Sequence, residues 1–147
     1  IHNLRPDSPQ GDKACAELIP ALQEQQTICA ADIPDLVPIL SVVAAAGKGA
    51  VFTNIRRLRI KESDRVASTV AMLESLGGKA EATSDTLTVY GTGLTGGTVD
   101  AANDHRIAMS AAIAASGCRV TVLGSQCVAK SYPRFWQDYE ALKGEAL

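Results

Sequence analysis

The sequence predicts an α/β fold built on a repeated unit, and three observations support this. Segments with apolar residues at helical spacing alternate with short extended segments along the chain. The sequence also overlays on itself, without a gap, when it is shifted by 69 residues. Finally, the apolar fraction of 46% comes mainly from Ala, Val, Leu and Ile, with only 4% aromatic residues, which indicates a globular small-residue core. A chain of 147 residues suits one domain, or one lobe of a larger enzyme, and can bury a real core.

Taken in order, "GDKACAELIPALQEQ" reads as a helix after a Gly-Asp start, weakened by Pro20. "PDLVPILSVVAAAGKG" reads as a buried helix ending near Gly47 or Gly49, and "AVFTNI" as the strand after it. "SDRVASTVAMLESLGG" is the cleanest amphipathic helix, with Ser63 as expected N-cap and Gly77-Gly78 as its stop. "KAEAT" and "TLTVYG" alternate as the strands of a hairpin, and the Gly-rich loop "GTGLTGG" follows. "DHRIAMSAAIAASG" is a second small-residue helix and "RVTVLG" a further strand. "AKSYPRFWQDYEALKG" reads as a last helix with Pro133 in its first turn.

The 69-residue shift places "PDLVPILSVVAAAGKGAVFTNI" on "NDHRIAMSAAIAASGCRVTVLG". It matches Asp35 to Asp104, Ser41 to Ser110, Lys61 to Lys130 and Arg65 to Arg134 in one register. Small apolar residues coincide easily, whereas charged ones in one register do not, and a fixed period marks one supersecondary unit used twice. Each copy runs helix, strand, basic turn, helix. An Asp opens the first helix of each copy, and a Lys precedes the second. Helix N-termini carry free N–H groups and partial positive charge, so two such units can aim several of them at one anionic ligand.

The net charge of −2 argues against nucleic acid or an anionic membrane as a partner, so any bound anion must be held by a local cluster. Cys15, Cys29, Cys118 and Cys127 show no CxxC or metal-type spacing and read as reduced packing residues of a cytoplasmic protein. No metal or cofactor motif is present. No window approaches the ~18 apolar residues of a membrane span, and nothing resembles a signal peptide. The abrupt opening "IHNLRPDSPQGD", without an initiator Met, points to a fragment or a trimmed chain.

Two short stretches carry the chemistry. Within "RLRIKESDR", Arg65 enters the first turn of a helix, where a cation opposes the macrodipole unless an anion sits beside it. A carboxylate is the natural partner, because the guanidinium fork matches it bidentately. In "NDHRIAM", Asn103 or Asp104 is the expected N-cap, His105 reads as a local hydrogen-bonding residue, and Arg106 heads an almost wholly apolar helix. An arginine there is expensive to bury without an anion.

"SPQGD", "DIPDLVPIL", "RLRIKESDR", "NDHRIAM" and "AKSYPRFW" together resemble the C-terminal part of the EPSP synthases (3-phosphoshikimate 1-carboxyvinyltransferases), over essentially the whole chain. Members of that family transfer the enolpyruvyl group of phosphoenolpyruvate to the 5-hydroxyl of shikimate 3-phosphate and release phosphate, using no cofactor. The resemblance implies an α/β fold of repeated βαβαββ units in a pseudo-threefold arrangement, with helix N-termini facing a cleft between two lobes. Residues 1–147 would supply most of one lobe, about two units, and the other lobe would be a partner lying outside this chain.

The resemblance also assigns site residues. Asp35 matches the carboxylate that takes the 5-hydroxyl proton and orients shikimate 3-phosphate, whereas Asp32 reads as a capping or surface residue. Lys61 matches the lysine working with that aspartate, and Glu62 the glutamate that handles the proton at the methylene carbon of phosphoenolpyruvate. Arg65 and Arg106 match the pair that clamps the carboxylate of phosphoenolpyruvate, and Lys130 a lysine on the same side. Arg57 stands where some relatives hold a polar residue against shikimate 3-phosphate, and it is left unassigned. A noncatalytic lobe that binds such anions, or a split-enzyme module needing a separate partner, is the alternative. The implied geometry is a convergence of Asp35, Lys61, Glu62, Arg65, Arg106 and Lys130 on one face.

Overall fold

The structure, a computed structural model, describes Arg5 and residues 7–144. The stretch 1–4 and Pro6, part of the opening segment noted above, lies outside the described residues. A 3-10 turn at Gly11–Ala14 leads into the short helix α1 (Cys15–Ala21), which carries Pro20 inside it. Strand β1 (Gln26–Cys29) follows, then a 3-10 turn at Pro34–Leu36 running into α2 (Val37–Ala46). Strand β2 (Gly49–Thr53), a basic 3-10 turn at Arg56–Ile60 and α3 (Arg65–Ser75) come next, then β3 (Lys79–Ala82) and β4 (Thr86–Tyr90).

Residues 26–90 thus run β, α, β, α, β, β. The order then starts again with β5 (Gly97–Asp100), α4 (His105–Ala114), β6 (Val120–Leu123), a 3-10 turn at Ser125–Lys130 and α5 (Phe135–Gly144). The first set forms a four-stranded sheet ordered β1-β2-β4-β3, in which β1 lies parallel to β2 and β4 antiparallel to both β2 and β3. The second forms a two-stranded sheet with β5 parallel to β6, Gly97 opposite Val120. The elements of the two sets recur in the register of the 69-residue shift, to within two residues at their starts.

One apolar core joins both sets. Leu40, Phe52, Leu58, Leu73 and Leu87 from the first set pack with Ile107 and Ala111 of α4 and Val99 of β5. Each of the Leu, Ile, Val and Phe side chains, once fully buried, contributes roughly 1.5–3 kcal/mol. A smaller cluster lies under α4 and α5, where Phe135 stacks against Tyr139 and Tyr139 donates to the Ala112 carbonyl at 2.7 Å. Small residues allow the two sets to approach closely. A Cβ on Gly97 would lie 2.0 Å from the Ser75 carbonyl oxygen, so only glycine lets β5 pass the end of α3.

Several boundaries differ from the sequence expectation. Two strands, β1 and β5, lie outside the sequence expectation, because each is four residues long with a single buried side chain (Ile28 and Val99) and shows no alternation. The first helix stops at Ala21, not near Gln25. The N-cap of α3 is Asp64, whose carboxylate accepts from the Ala67 N–H at 3.1 Å, and not Ser63, whose hydroxyl is engaged elsewhere. Helix α5 starts at Phe135, so Pro133 precedes its first turn. Cys29 is exposed on β1 and accepts from the Asn54 amide, so it is not a packing residue. The stop of α3 is as expected: Gly77 N–H bonds to Glu74 and Gly78 N–H to Leu73, the paired closure that a left-handed glycine permits. Among the described residues no helix is long and apolar enough to cross a membrane.

Candidate active site

The buried stripe of α3 runs Arg65, Val66, Thr69, Met72, Leu73, so the helix's first residue presents a guanidinium to the interior. Arg65 is 1% exposed. Burying a cation there is tolerable only with full pairing, and three carboxylates supply it. Asp104 is forked onto it, with Arg65 Nε to Oδ2 at 2.9 Å and NH2 to Oδ1 at 3.2 Å. Arg65 NH1 donates to Asp35 Oδ1 at 2.6 Å, and NH2 also donates to Glu62 Oε2. The anion that the sequence called for beside Arg65 is therefore provided within the chain itself.

Asp35 sits in the 3-10 turn that feeds α2, at the mouth of this cluster. Its Oδ1 also accepts from Lys61 Nζ at 3.1 Å, and its Oδ2 faces Arg106 NH2 at 3.5 Å. The Asp35 carboxylate thus lies between the two arginines expected to form a clamp. Arg106, in the first turn of α4, reaches Asp12 as well, at 3.5 Å. Lys130 stands apart from these ion pairs. It donates to the Asn103 side-chain oxygen at 2.9 Å, in the turn that precedes α4.

The protonation states follow from this pairing. Burial pushes the Asp35 carboxyl up, but the Lys61 hydrogen bond and the charges of Arg106, Lys61 and Arg65 outweigh it and hold the group below the usual carboxylate range. Asp104 behaves likewise, with burial opposed by the hydrogen bond and charge of Arg65, the Arg106 N–H and the Ser63 hydroxyl. Burial disfavours the charged form of Arg65, yet Asp104, Glu62 and Asp35 together raise its pKa. All three groups are charged at neutral pH.

The structure therefore brings Asp35, Lys61, Glu62, Arg65 and Arg106 into one network and sets Lys130 on the adjoining turn. Beside the network lies a polar cleft of about 340 Å³ lined by Asp12, Asp32, Asp35, Arg57 and Arg106. Sequence reasoning missed Asp12 as the second partner of Arg106, because nothing links residues so far apart in the chain. It saw Asp104 only as a cap. The available signal was its match to Asp35 in the 69-residue register, together with the cost of burying Arg65 at the head of a core-facing stripe.

A sequence profile of the EPSP synthase (3-phosphoshikimate 1-carboxyvinyltransferase) family matches residues 8–139. The chain belongs to the EPSP synthase family. Among curated EPSP synthases, the 3-phosphoshikimate 1-carboxyvinyltransferase of Clostridium acetobutylicum is 43% identical over 97% of this chain and 38% of its own length. That of Methanospirillum hungatei is 35% identical over the whole chain and 39% of its own length. The solved EPSP synthase of Acinetobacter baumannii superimposes with a TM-score of 0.68 at 31% identity, covering 76% of this chain and 27% of that one. The chain thus spans less than two-fifths of the length of the curated relatives it matches.

Proposed function

We propose that this chain supplies one face of the active site of an enzyme that transfers the enolpyruvyl group of phosphoenolpyruvate to the 5-hydroxyl of shikimate 3-phosphate. The observation that carries the reading is the network itself: a carboxylate from the turn before α2, a lysine and a second carboxylate from the segment leading into α3, and two arginines from the first turns of α3 and α4 meet beside an open polar cleft. Addition of the hydroxyl oxygen to C2 of phosphoenolpyruvate requires a proton on C3 and removal of one from the oxygen. Loss of phosphate from C2, with return of the C3 proton, then regenerates the double bond.

In this scheme Asp35, assisted by Lys61, orients the 5-hydroxyl and takes its proton as the C–O bond forms. A carboxylate held below its usual range is a weak base, so it fits transfer late in bond formation. Glu62 delivers and recovers the C3 proton. Arg65 and Arg106 take the carboxylate of phosphoenolpyruvate by exchange with that of Asp35, and Lys130 adds charge on that side. Preorganised ion pairs suit a reaction between anionic partners. Two βαβαββ-type units related by pseudo-threefold rotation, and a second lobe outside this chain, complete the proposed enzyme.

The test compares the 147-residue chain with a chimera in which it replaces the matched segment of the C. acetobutylicum relative. The chimera should release phosphate from phosphoenolpyruvate and shikimate 3-phosphate. The chain alone should not, because a one-sided cleft forgoes most of the ~7–11 kcal/mol that orientation supplies. It should bind phosphoenolpyruvate with millimolar affinity, about 4 kcal/mol, read by chemical-shift titration, and Arg106→Ala should remove that binding. A folded chimera that releases no phosphate would overturn the proposal.

A further inference from the structure

Asp35 and Asp104 stand at equivalent points of the two recurring element sets, each just ahead of a helix. Their environments have diverged. The Asp35 side chain is 36% exposed at the cleft, whereas Asp104 is 0% exposed. One arginine bridges them, giving NH1 to Asp35 and its Nε–NH2 edge to Asp104.

Asp104 is also fully saturated. Its Oδ1 accepts from Arg65 NH2 and, at 2.9 Å, from the Arg106 backbone N–H, and its Oδ2 accepts from Arg65 Nε and, at 3.1 Å, from the Ser63 hydroxyl. Two of these four donors come from elements fixed independently of the Arg65 side chain: the first turn of α4 and the segment leading into α3. The carboxylate is therefore anchored before it grips the guanidinium. Because a guanidinium is planar, fixing its Nε–NH2 edge also fixes the directions of the remaining N–H groups. Those groups meet Asp35 and Glu62.

We propose that Asp104 is a positioning residue, the buried template that sets the plane of Arg65 and, through it, the direction of the N–H groups that here hold Asp35 and Glu62 and that, on the function proposed above, receive the substrate carboxylate. Its catalytic consequence rests on the function proposed above, but its geometric consequence does not. Capping α4 is the competing structural role, and Asp104→Asn separates the two. Asparagine caps a helix as well as aspartate does, yet it turns an NH2 group toward the guanidinium and cannot hold both of its edge donors. Ser63→Ala is a second, milder variant that frees one oxygen of the template.

Each variant is read in two ways. In the 147-residue chain, the Arg65 Nε–H resonance reports the fork directly. It should exchange slowly and lie apart from the exposed arginines in the parent, and move toward them in Asp104→Asn. In the chimera, kcat should fall on the order of 100-fold for Asp104→Asn, the cost of a misplacement of about 1 Å. KM for shikimate 3-phosphate should move much less. Ser63→Ala should shift both readouts in the same direction by a smaller amount. A folded Asp104→Asn protein with unchanged Arg65 resonance and unchanged kcat would overturn the proposal, and so would an altered kcat with an unmoved resonance. If Asp104→Asn does not fold, Ser63→Ala decides by the same criteria. If the parent chimera is inactive the proposed function fails, and Asp104 stands or falls on the resonance alone.

Discussion

Replacing Arg65 by Met keeps a long unbranched side chain on the buried stripe of α3 and removes the guanidinium. Three carboxylates lose a partner, but unequally. Asp35 and Glu62, with side chains 36% and 47% exposed, regain hydration and contribute little to the loss. Asp104, 0% exposed, keeps only the Ser63 hydroxyl and the Arg106 N–H against its full charge. Breaking a buried pair from one side costs about 3–5 kcal/mol. Against a typical domain stability of roughly 5–15 kcal/mol, the variant stays folded but loses a large fraction of its margin, and its Tm falls by roughly 10 °C.

The pH dependence gives a sharper test. In the parent, Asp104 is held below its ordinary value of 3.8, so its stabilising contribution is fully present above that value and is lost as pH falls through the folded pKa. In Arg65→Met the same carboxyl is buried without a counter-charge and its pKa rises. Its penalty is then full at neutral pH and is relieved by protonation on acidification. The stability gap between the two proteins should therefore narrow as pH falls. Urea unfolding at about pH 7 and about pH 4 measures it. A gap under about 1 kcal/mol near neutrality, or one that widens on acidification, would refute the reasoning.

Two further outcomes test the local structure around the site. Ala102 and Asn103 both hold positive φ, 50° and 55°, in the tight turn closed by the Asp104 N–H to the Ala101 carbonyl. Left-handed backbone costs an alanine about 1–2 kcal/mol, and glycine returns about 0.4–1 kcal/mol of that through the unfolded chain. Ala102→Gly should thus stabilise modestly in thermal melts, and a fall in Tm would contradict the strain. Asp64→Ala removes the N-cap of α3 and should cost about 1 kcal/mol by urea unfolding. The exposed Arg59–Asp64 pair adds little to that figure.

What the sequence made legible was whatever repeats locally. Helices α2, α3 and α4 announce themselves by apolar spacing, and the hairpin β3–β4 by alternation, because each buries a regular stripe of its own residues. Strands β1 and β5 bury one side chain each and exist because β2 and β6 lie beside them, so no local window reveals them. The site divides in the same way. Lys61, Glu62 and Arg65 fall within five residues, and Arg106 heads a conspicuous apolar helix. The link from Arg65 to Asp104 spans 39 positions and forms only once α3 and α4 share a core. By residue type Ser63 suits an N-cap. Its neighbour Asp64 took that role, which left the Ser63 hydroxyl available to Asp104.

The charge balance of the network bears on what this chain can do alone. Lys61, Arg65 and Arg106 provide three cations, and Asp12, Asp35, Glu62 and Asp104 provide four carboxylates in contact with them. An anion that enters must compete with aspartate and glutamate side chains already in place, and it gains only the difference between its own contacts and theirs. Lys130 differs, since its partner is the neutral Asn103 and its charge is undiminished. On the proposed function, the positive potential that draws two phosphorylated substrates must therefore come largely from the remainder of the longer relatives. This chain then contributes the groups that move protons and the arginines that exchange one carboxylate for another. Weak binding by the isolated chain is the outcome expected of a site whose two arginines and Lys61 are already paired with carboxylates.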